Sequence, residues 1–343
     1  TSGRYKDAIE TFQQAEKLAS WNDYTSISEE AGSVLTNESA KTHHLDDYER
    51  VLISMYLAID YTLLGQWESA LVEARRVNHQ IDKMIREGHP TYTRNSFAKY
   101  LAALLFERNG EFNDAWVDYK AVYHWDPSFP LNPIGLLRMS SKLRSEEELI
   151  RYKKLFPNEI QPSLNRKEGE VVLLAEVGKT PEKIPDPDFS IIPKLIPRFS
   201  RAKKLRLKSK QARAQAETYL LFDIEKAAMI DLEEKRAGLI AKRIASMALK
   251  KVAVEGIANQ SEATKNLRVF GDMFILLSER ADLRSWLLLP GNLQVARLKL
   301  PIGVHELFVE EIDVNGTVLS TRALGSLDVK PSSINFLNTR TQF

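Results

Sequence analysis

The feature that most constrains the fold of this chain is a pattern of small and turn residues between positions 95 and 127. Ala103 lies on a first predicted helix, Gly110 marks a turn, and Ala115 lies on a second helix that Pro127 ends. Alanines let two helix backbones approach closely, and proline cannot continue a helix because it lacks the backbone N–H group. The segment is therefore predicted to form a helical hairpin.

The same pattern recurs in two other registers, which indicates an array of helical hairpins. Aligning Gly110 with Gly65 brings Ala70 to a matching position, and aligning it with Gly3 does the same for Ala8. This spacing is typical of tetratricopeptide-type repeats. The first register begins at the second helix of a repeat, and half a hairpin cannot bury its apolar face. The chain is therefore expected to be a fragment of a longer protein.

The repeats are expected to be separated by insertions and closed by a final helical pair. Residues 18–48 are rich in Ser, Thr, Asn and Asp, and they predict a long loop with a short helix near 26–30. A second insertion is expected to extend a helix and end it at Gly88. Residues 127–158 predict one more pair of helices, the second of which begins after Ser145.

At Glu168 the apolar period changes from 3.6 to 2, which predicts β structure. The expected order is a buried strand, a proline-rich connection, a basic strand, a long helix at about 223–254 and a small β-sandwich at about 290–343, with a hairpin turn at Asn315–Gly316. The predicted class is α+β. An N-terminal tetratricopeptide-like helical repeat array in residues 1–165, with its first repeat truncated, precedes a mixed, β-rich domain in residues 166–343 that carries a helical insert.

Composition sets limits on the class of protein. A hydrophobic content of 43% with 27% charged residues is ordinary for a globular chain. No apolar run approaches the roughly 20 residues of a membrane-spanning helix. The chain has no cysteine, which excludes disulfides, thiolate metal ligands and a cysteine nucleophile. Its net charge is only +2, with acids in excess before residue 160 and bases in excess after it.

Residues with catalytic or metal-binding potential are sparse. The sequence contains no nucleophile elbow, phosphate-binding glycine loop or dinucleotide fingerprint. Asp186 and Asp188 flank Pro187, which argues against a metal loop. None of the histidines has the spacing of a helical zinc site, and they are His43, His44, His79, His89, His124 and His305. We therefore expect no enzyme activity, no metal site and no cofactor.

The basic strand is the first candidate binding surface. Alternation places Lys204, Arg206, Lys208 and Lys210 on one face of a strand, which would suit an anionic partner. Two other interpretations are a solvated strand face and an edge strand protected by lysines. No aromatic residue interleaves the charges as in single-strand nucleic-acid binders, so nucleic acid is not expected.

A family resemblance rests on an ordered series of short motifs. They are Tyr48-Glu49-Arg50, Glu73-Ala74-Arg75-Arg76, Gly178 to Pro181, and Arg284-Ser285-Trp286 with Leu289-Pro290. With this series the chain resembles a family of bacterial lipoproteins of uncharacterised function with tetratricopeptide-like repeats. The resemblance implies export to the periplasm and an outer-membrane anchor on a lipidated N-terminal cysteine, which this chain does not contain. It also implies that the protein acts together with other envelope lipoproteins, including flagellar outer-membrane ring components.

The expected function is that of a non-catalytic periplasmic adaptor that binds another envelope protein through its repeats. First helices of stacked hairpins usually line a concave groove that holds a peptide or helix. The predicted groove residues are Met55, Ile59, Thr62, Tyr100, Leu104 and Glu107. The alternative for these six is packing against the inserted segment 18–48.

Two alternative functions are also compatible with the sequence. A structural subunit of an envelope-spanning ring, such as the flagellar motor, would make flat, repeated contacts. A peptidoglycan- or anionic-ligand-binding module would use Trp286 or the basic strand.

Overall fold

The N-terminal part of the chain folds into helices that pair across short turns. The structure is a computed structural model that describes residues 3–29, 45–158, 167–258 and 281–341. The helices before the first strand are α1 (Tyr5–Glu29), α2 (Asp47–Leu63), α3 (Trp67–Arg86), α4 (Ser96–Asn109), α5 (Phe112–Trp125), α6 (Asn132–Lys142) and α7 (Glu146–Leu155), with a 3₁₀ turn at Thr91–Thr93. Helix pairing therefore follows the predicted hairpins from α2 to α7.

Glycines shape these hairpins in two different ways. Gly110 ends α4 in the left-handed region with φ of +84°, which a residue with a side chain rarely adopts. Gly135 of α6 lies against the ring of Tyr119, and a Cβ atom there would come within 2.5 Å of ring carbons. The turns predicted at Gly65 and Gly110 are confirmed, and Gly135 allows α6 to pack closely on α5.

The rest of the chain builds two four-stranded sheets. The strands are β1 (Glu168–Val177), β2 (Glu182–Pro185), β3 (Pro193–Ile196), β4 (Lys204–Ser209), β5 (Ala214–Glu217), β6 (Tyr219–Asp223), β7 (Asn292–Pro301), β8 (Gly303–Ile312), β9 (Val318–Val329) and β10 (Ile334–Arg340), and α8 (Ile224–Ala258) follows β6. The first sheet has the order β10-β1-β7-β6 and the second β5-β4-β8-β9, while β2 and β3 form a separate pair. Among the strands that the structure describes, only β10 pairs in parallel, alongside β1.

The strand β1 shows how the layers are stacked. Its burial is almost complete along its whole length, as expected for a strand covered on both faces. Val171 and Leu173 belong to the core between the two sheets, together with Leu205 of β4. Val172 and Leu174 belong to a second core that the sheet shares with the helices. The described chain is therefore layered as helices, first sheet and second sheet.

This layering changes the expected domain organisation. The predicted sandwich of residues 290–343 is wrong in extent, because both sheets take strands from residues 168–223 as well as from 292–340. The boundary predicted at 165/166 lies in a stretch outside the described residues. On either side of it, the helices and the first sheet bury one common core.

Two local predictions are also corrected. Residues 18–29 continue α1 and are not a loop, while positions 30–44 lie outside the described residues. The hairpin at Asn315–Gly316 is present, but only Gly316 has a positive φ, since the Asp313 side chain accepts hydrogen bonds from the backbone N–H groups of Asn315 and Thr317 and sets a longer loop.

The long helix packs on the sheet only at its start. The predicted apolar stripe of α8 comprises Ile240, Ile244, Met247, Ala248 and Val252. Ile224, Ala227 and Ala228 are buried, whereas Ile244 is 59% exposed and Val252 is 67% exposed. Burial of the stripe against a sheet is therefore wrong for its second half. Among the residues that the structure describes, no helix has the length and apolarity to cross a bilayer.

Candidate functional site

The structure places the predicted groove residues inside the protein. All six are buried, and Tyr100 and Leu104 have no exposed surface: Met55, Ile59, Thr62, Tyr100, Leu104 and Glu107. The expectation of an open groove is corrected, because the first sheet covers the face that α2 and α4 would offer to a partner. The covering residues include Val172, Leu174, Leu293, Val295 and Phe336. The described part of the chain fills its own groove with a sheet.

The predicted basic face is present but its charges are neutralised. Arg206 contacts Glu217 at 2.6 Å and Glu310 at 3.1 Å, and Lys208 contacts Glu310 at 2.7 Å. The outer two lysines also face acids, Lys204 at 3.4 Å from Glu217 and Lys210 at 3.6 Å from Glu306. The strand β4 lies between β5 and β8, so it is not a protected edge. The four cations complete a cross-strand ladder and do not form an open anionic-partner face.

His305 and Trp286 both pack inside the fold. His305 is buried, with Nδ1 at 3.0 Å from the Ser209 hydroxyl and Nε2 at 2.8 Å from the Pro301 carbonyl oxygen. Trp286 packs in an aromatic cluster with Phe12 and Tyr56, at centroid distances of 5.7 Å and 6.0 Å. In the described ranges, no three His, Asp or Glu side chains gather as metal ligands.

Four charged side chains meet where the helices and the first sheet join. Glu170 of β1 accepts two hydrogen bonds from Arg297 of β7, at 2.9 Å from Nε and 2.6 Å from Nη2. Arg138 of α6 donates from Nη1 to Glu107 of α4 at 2.5 Å and to Glu170 at 3.1 Å. We call Glu107, Arg138, Glu170 and Arg297 the junction network. Its formal charge is zero, which is what full burial requires.

Two tyrosines extend the junction network. Arg297 Nη1 donates to the Tyr100 hydroxyl at 3.0 Å, and the Tyr119 hydroxyl donates to Glu107 at 2.5 Å. Burial alone would raise the pKa of Glu170, but Arg297 and Arg138 outweigh it and hold that pKa at about 2. Burial alone would lower the pKa of Arg297, but the charge of Glu170 leads the interactions that outweigh it and raise that pKa well above its ordinary value. Glu170 and Arg297 therefore keep their charges across the physiological pH range.

A cleft opens from the junction network to the surface. It has a volume of about 430 Å³, and Glu107 and Arg138 lie at its inner end. The walls come from the turn between α4 and α5, from the end of α6 and from the loop before β10, and they include Arg108, Gly110, Lys142, Ser332 and Ser333. Helical layer and sheet both contribute, so the cleft exists only when the two layers are packed together.

Two exposed cations, Arg108 and Lys142, lie at the mouth of the cleft. Arg108 lies with its guanidinium 3.2 Å from the centroid of the Trp67 ring, and Lys142 lies 5.5 Å from that of Phe112. Within the described residues, neither Arg108 nor Lys142 forms an ion pair. Stacking on an aromatic ring holds a guanidinium in place and leaves its N–H edge available. The mouth is thus suited to a carboxylate or phosphate group.

A different buried acid lies under the other end of β1. Asp60 of α2 is fully buried, and neither carboxylate oxygen has a hydrogen-bond partner among the described residues. Burial raises its pKa to about 7, and the charge of Glu176 adds to the effect. Glu176 itself is contacted by the Tyr56 hydroxyl at 3.4 Å and lies 3.9 Å from Arg340.

Of the four residues of the junction network, the sequence analysis named only Glu107. Glu170 and Arg297 could have been found, because each is a charge with only glycine or apolar residues next to it in its strand, and a charge that such a strand buries needs a partner. Nothing in the sequence distinguishes Arg108 and Lys142 from other surface cations. Comparison of the chain with family models, with curated proteins and with solved structures finds no match.

Proposed function

We propose that the protein is a non-catalytic adaptor of the bacterial cell envelope whose cleft binds an acidic group of a partner protein. The helical hairpins are tetratricopeptide-type repeats in this proposal. The chain acts in the periplasm, with the outer-membrane lipid anchor that the family resemblance implies. The observation that carries the proposal is the cleft with Arg108 and Lys142 at its mouth and no acid paired to either within the described chain.

In this proposal the cleft, and not the concave groove, is the surface that contacts the partner. The concave face is occupied by the first sheet, so a partner peptide cannot enter it in this conformation. The cleft lies at the edge of that face, between the turn after α4 and the loop before β10. A partner's carboxylate would meet two cations there, and charge-assisted hydrogen bonds are the stronger kind.

Among the described residues that line the cleft, no carboxylate is free to act as an acid or base, which supports binding over catalysis at this place. Glu107 is the carboxylate nearest the cleft, and its two oxygens are taken by Arg138 and Tyr119. A general base must reach a substrate proton, and this carboxylate is already held by two donors. Cations and serines at a surface cleft are suited to recognition.

The test is a photo-crosslinking residue at Asn109, which lines the cleft. In the native cell we expect a discrete adduct with one envelope protein. The double variant Arg108→Glu/Lys142→Glu should reduce that adduct by roughly tenfold or more, because two attractive contacts become repulsive. The matched control, Lys153→Glu/Lys154→Glu, changes the same charge at the exposed end of α7 and should leave the adduct unchanged.

Two results would reject the proposal. One is an adduct that forms equally in the cleft variant and in the wild type. The other is the lack of a protein adduct at Asn109 while circular dichroism shows that the protein is folded.

A further inference from the structure

Three loops at the Val177 end of β1 carry exposed apolar side chains. We call residues 178–181, 197–203 and 284–291 the loop end. Phe199 is 85% exposed, and Leu288 is 76% exposed beside the half-exposed Leu287. Single exposed leucines are common on protein surfaces, but a fully projecting phenylalanine next to two leucines is not.

The loop end is held rigid by hydrogen bonds to backbone carbonyl groups. Arg198 donates from Nε to the Thr180 carbonyl oxygen at 2.6 Å and from Nη2 to that of Leu287 at 2.7 Å. The backbone N–H of Thr180 donates to the Leu289 carbonyl oxygen at 2.9 Å. The three loops are thus tied to one another, and their apolar tips are fixed outward instead of folding back on the sheet.

Cations surround these tips. Lys179, Arg201 and Lys203 are exposed, and none forms an ion pair with a residue that the structure describes. Lys203 lies 5.8 Å from the centroid of the Phe199 ring. The acids that accompany these loops are fewer: Glu182 is exposed on β2, and Glu225 at the start of α8 interacts with Lys203. The loop end is therefore positive as well as apolar.

We propose that the loop end docks on the surface of a bilayer that contains anionic phospholipid. Projecting aromatic and leucine side chains insert at the boundary between headgroups and acyl chains, and nearby Lys and Arg side chains attract anionic headgroups. A protein partner would instead need an acidic surface with hollows for three separate tips. Convex apolar tips with exposed cations beside them match a lipid surface more closely.

The location of the loop end gives this contact an orientation. Glu170, in the junction network, lies near the start of β1, and the loop end follows Val177 at its finish. From Glu170 to the end of β1 at Val177 the strand spans about 23 Å, so the inner end of the cleft lies roughly that far from the docked surface. This inference does not depend on the cleft or on its partner, because it uses other residues at the opposite end of the sheet.

The test is co-sedimentation of the full chain with vesicles. One set is phosphatidylcholine alone, and the other is an equimolar mixture of phosphatidylcholine and phosphatidylglycerol. We expect the bound fraction to be several-fold higher on the mixture and to fall with added salt, since exposed charges are screened. Phe199→Ala/Leu288→Ala and Lys179→Glu/Arg201→Glu should each weaken binding by roughly tenfold. All four side chains are solvent-exposed, so both variants should fold.

Matched controls separate the loop end from general surface effects. Ile150→Ala/Leu155→Ala removes two exposed apolar side chains of α7, and Lys153→Glu/Lys154→Glu reverses two of its charges. Both should bind vesicles as the wild type does. Failure of the wild type to bind the mixture, or equal loss in the controls, would overturn the proposal.

A second readout decides between lipid and protein. A photo-crosslinking residue at position 199 in the native cell should form adducts with phospholipid. Adducts with protein alone would overturn the inference.

Discussion

Two buried carboxylates at opposite ends of β1 have opposite electrostatic surroundings. Glu170 lies between Arg138 and Arg297, which hold its pKa at about 2. Asp60 has no hydrogen-bond partner among the described residues, and burial raises its pKa to about 7. Glu170 belongs to the first sheet and Asp60 to the helix α2, and both side chains are shielded from water. The difference teaches that two buried arginines bonded to Glu170 outweigh the effect of its burial, whereas burial dominates at Asp60.

The largest effect on the free energy of unfolding is expected from breaking the pair between Glu170 and Arg297. Arg297→Met removes three hydrogen bonds and leaves Glu170 with Arg138 alone. A buried charge pair that loses one partner typically costs about 3–5 kcal/mol. Urea denaturation should show a lower midpoint with an unchanged slope. A loss below about 1 kcal/mol would show that Glu170 does not need Arg297.

A double variant sharpens this result. Arg297→Met/Glu170→Leu removes the whole pair and leaves Arg138 bonded to Glu107. Replacing a buried pair with apolar residues is often neutral, so most of the lost stability should return. A double variant as unstable as the single one would mean that packing, and not the uncompensated charge, caused the loss.

A smaller effect on the free energy of unfolding is expected at Asp60. The pKa of Asp60 in the folded protein lies above its ordinary value, so the folded state binds a proton that the unfolded state has released. This contribution is full below about pH 4 and is lost as the pH rises to about 7. Asp60→Asn has no such loss. From about pH 5 to about pH 8 the variant should gain on the order of 2 kcal/mol relative to the wild type.

Chemical denaturation at a series of pH values measures this difference. Glu49 and Glu73 also have pKa values raised to about 7 by burial, so the wild-type profile alone is not diagnostic. The comparison with Asp60→Asn isolates one group. A stability difference that does not vary with pH would contradict the assignment to Asp60.

The smallest effect is expected where a pair is exposed. Lys210 and Glu306 lie 3.6 Å apart, with 73% and 49% of their side-chain surfaces open to solvent. Lys210→Ala should change the free energy of unfolding by less than about 0.5 kcal/mol, because water and salt screen such pairs. The thermal midpoint of the variant should match that of the wild type at high ionic strength. A large loss would show that charge pairing, and not burial, sets the scale of these effects.

Local features of this fold could be predicted from the sequence. Gly65 and Gly110 mark turns because few other residues adopt a positive φ, and the Val and Leu run after Glu168 predicts a buried strand. These signals act within one turn or one strand, so they need no knowledge of the remaining chain.

The arrangement of the layers could not be predicted in the same way. Tyr100 and Leu104 have the residue types expected of a face that binds a partner or of one that packs on a sheet of the same chain. The junction network joins positions as far apart as Glu170 and Arg297, which are 127 residues apart in sequence. Pairings of that kind depend on topology, and the local patterns of a single sequence do not show them.

The parallel pairing of β1 with β10 has a consequence for biosynthesis. Asn335 of β10 donates to the Glu170 carbonyl oxygen, 165 positions earlier in the chain. A nascent polypeptide therefore holds its helices and β1 together for many seconds before the strand that completes their cover leaves the ribosome. During that interval Phe336 and its neighbours are missing from the shared core, so the helices expose apolar surface to solvent. A chaperone that shields this surface until translation reaches β10 would raise the yield of folded protein.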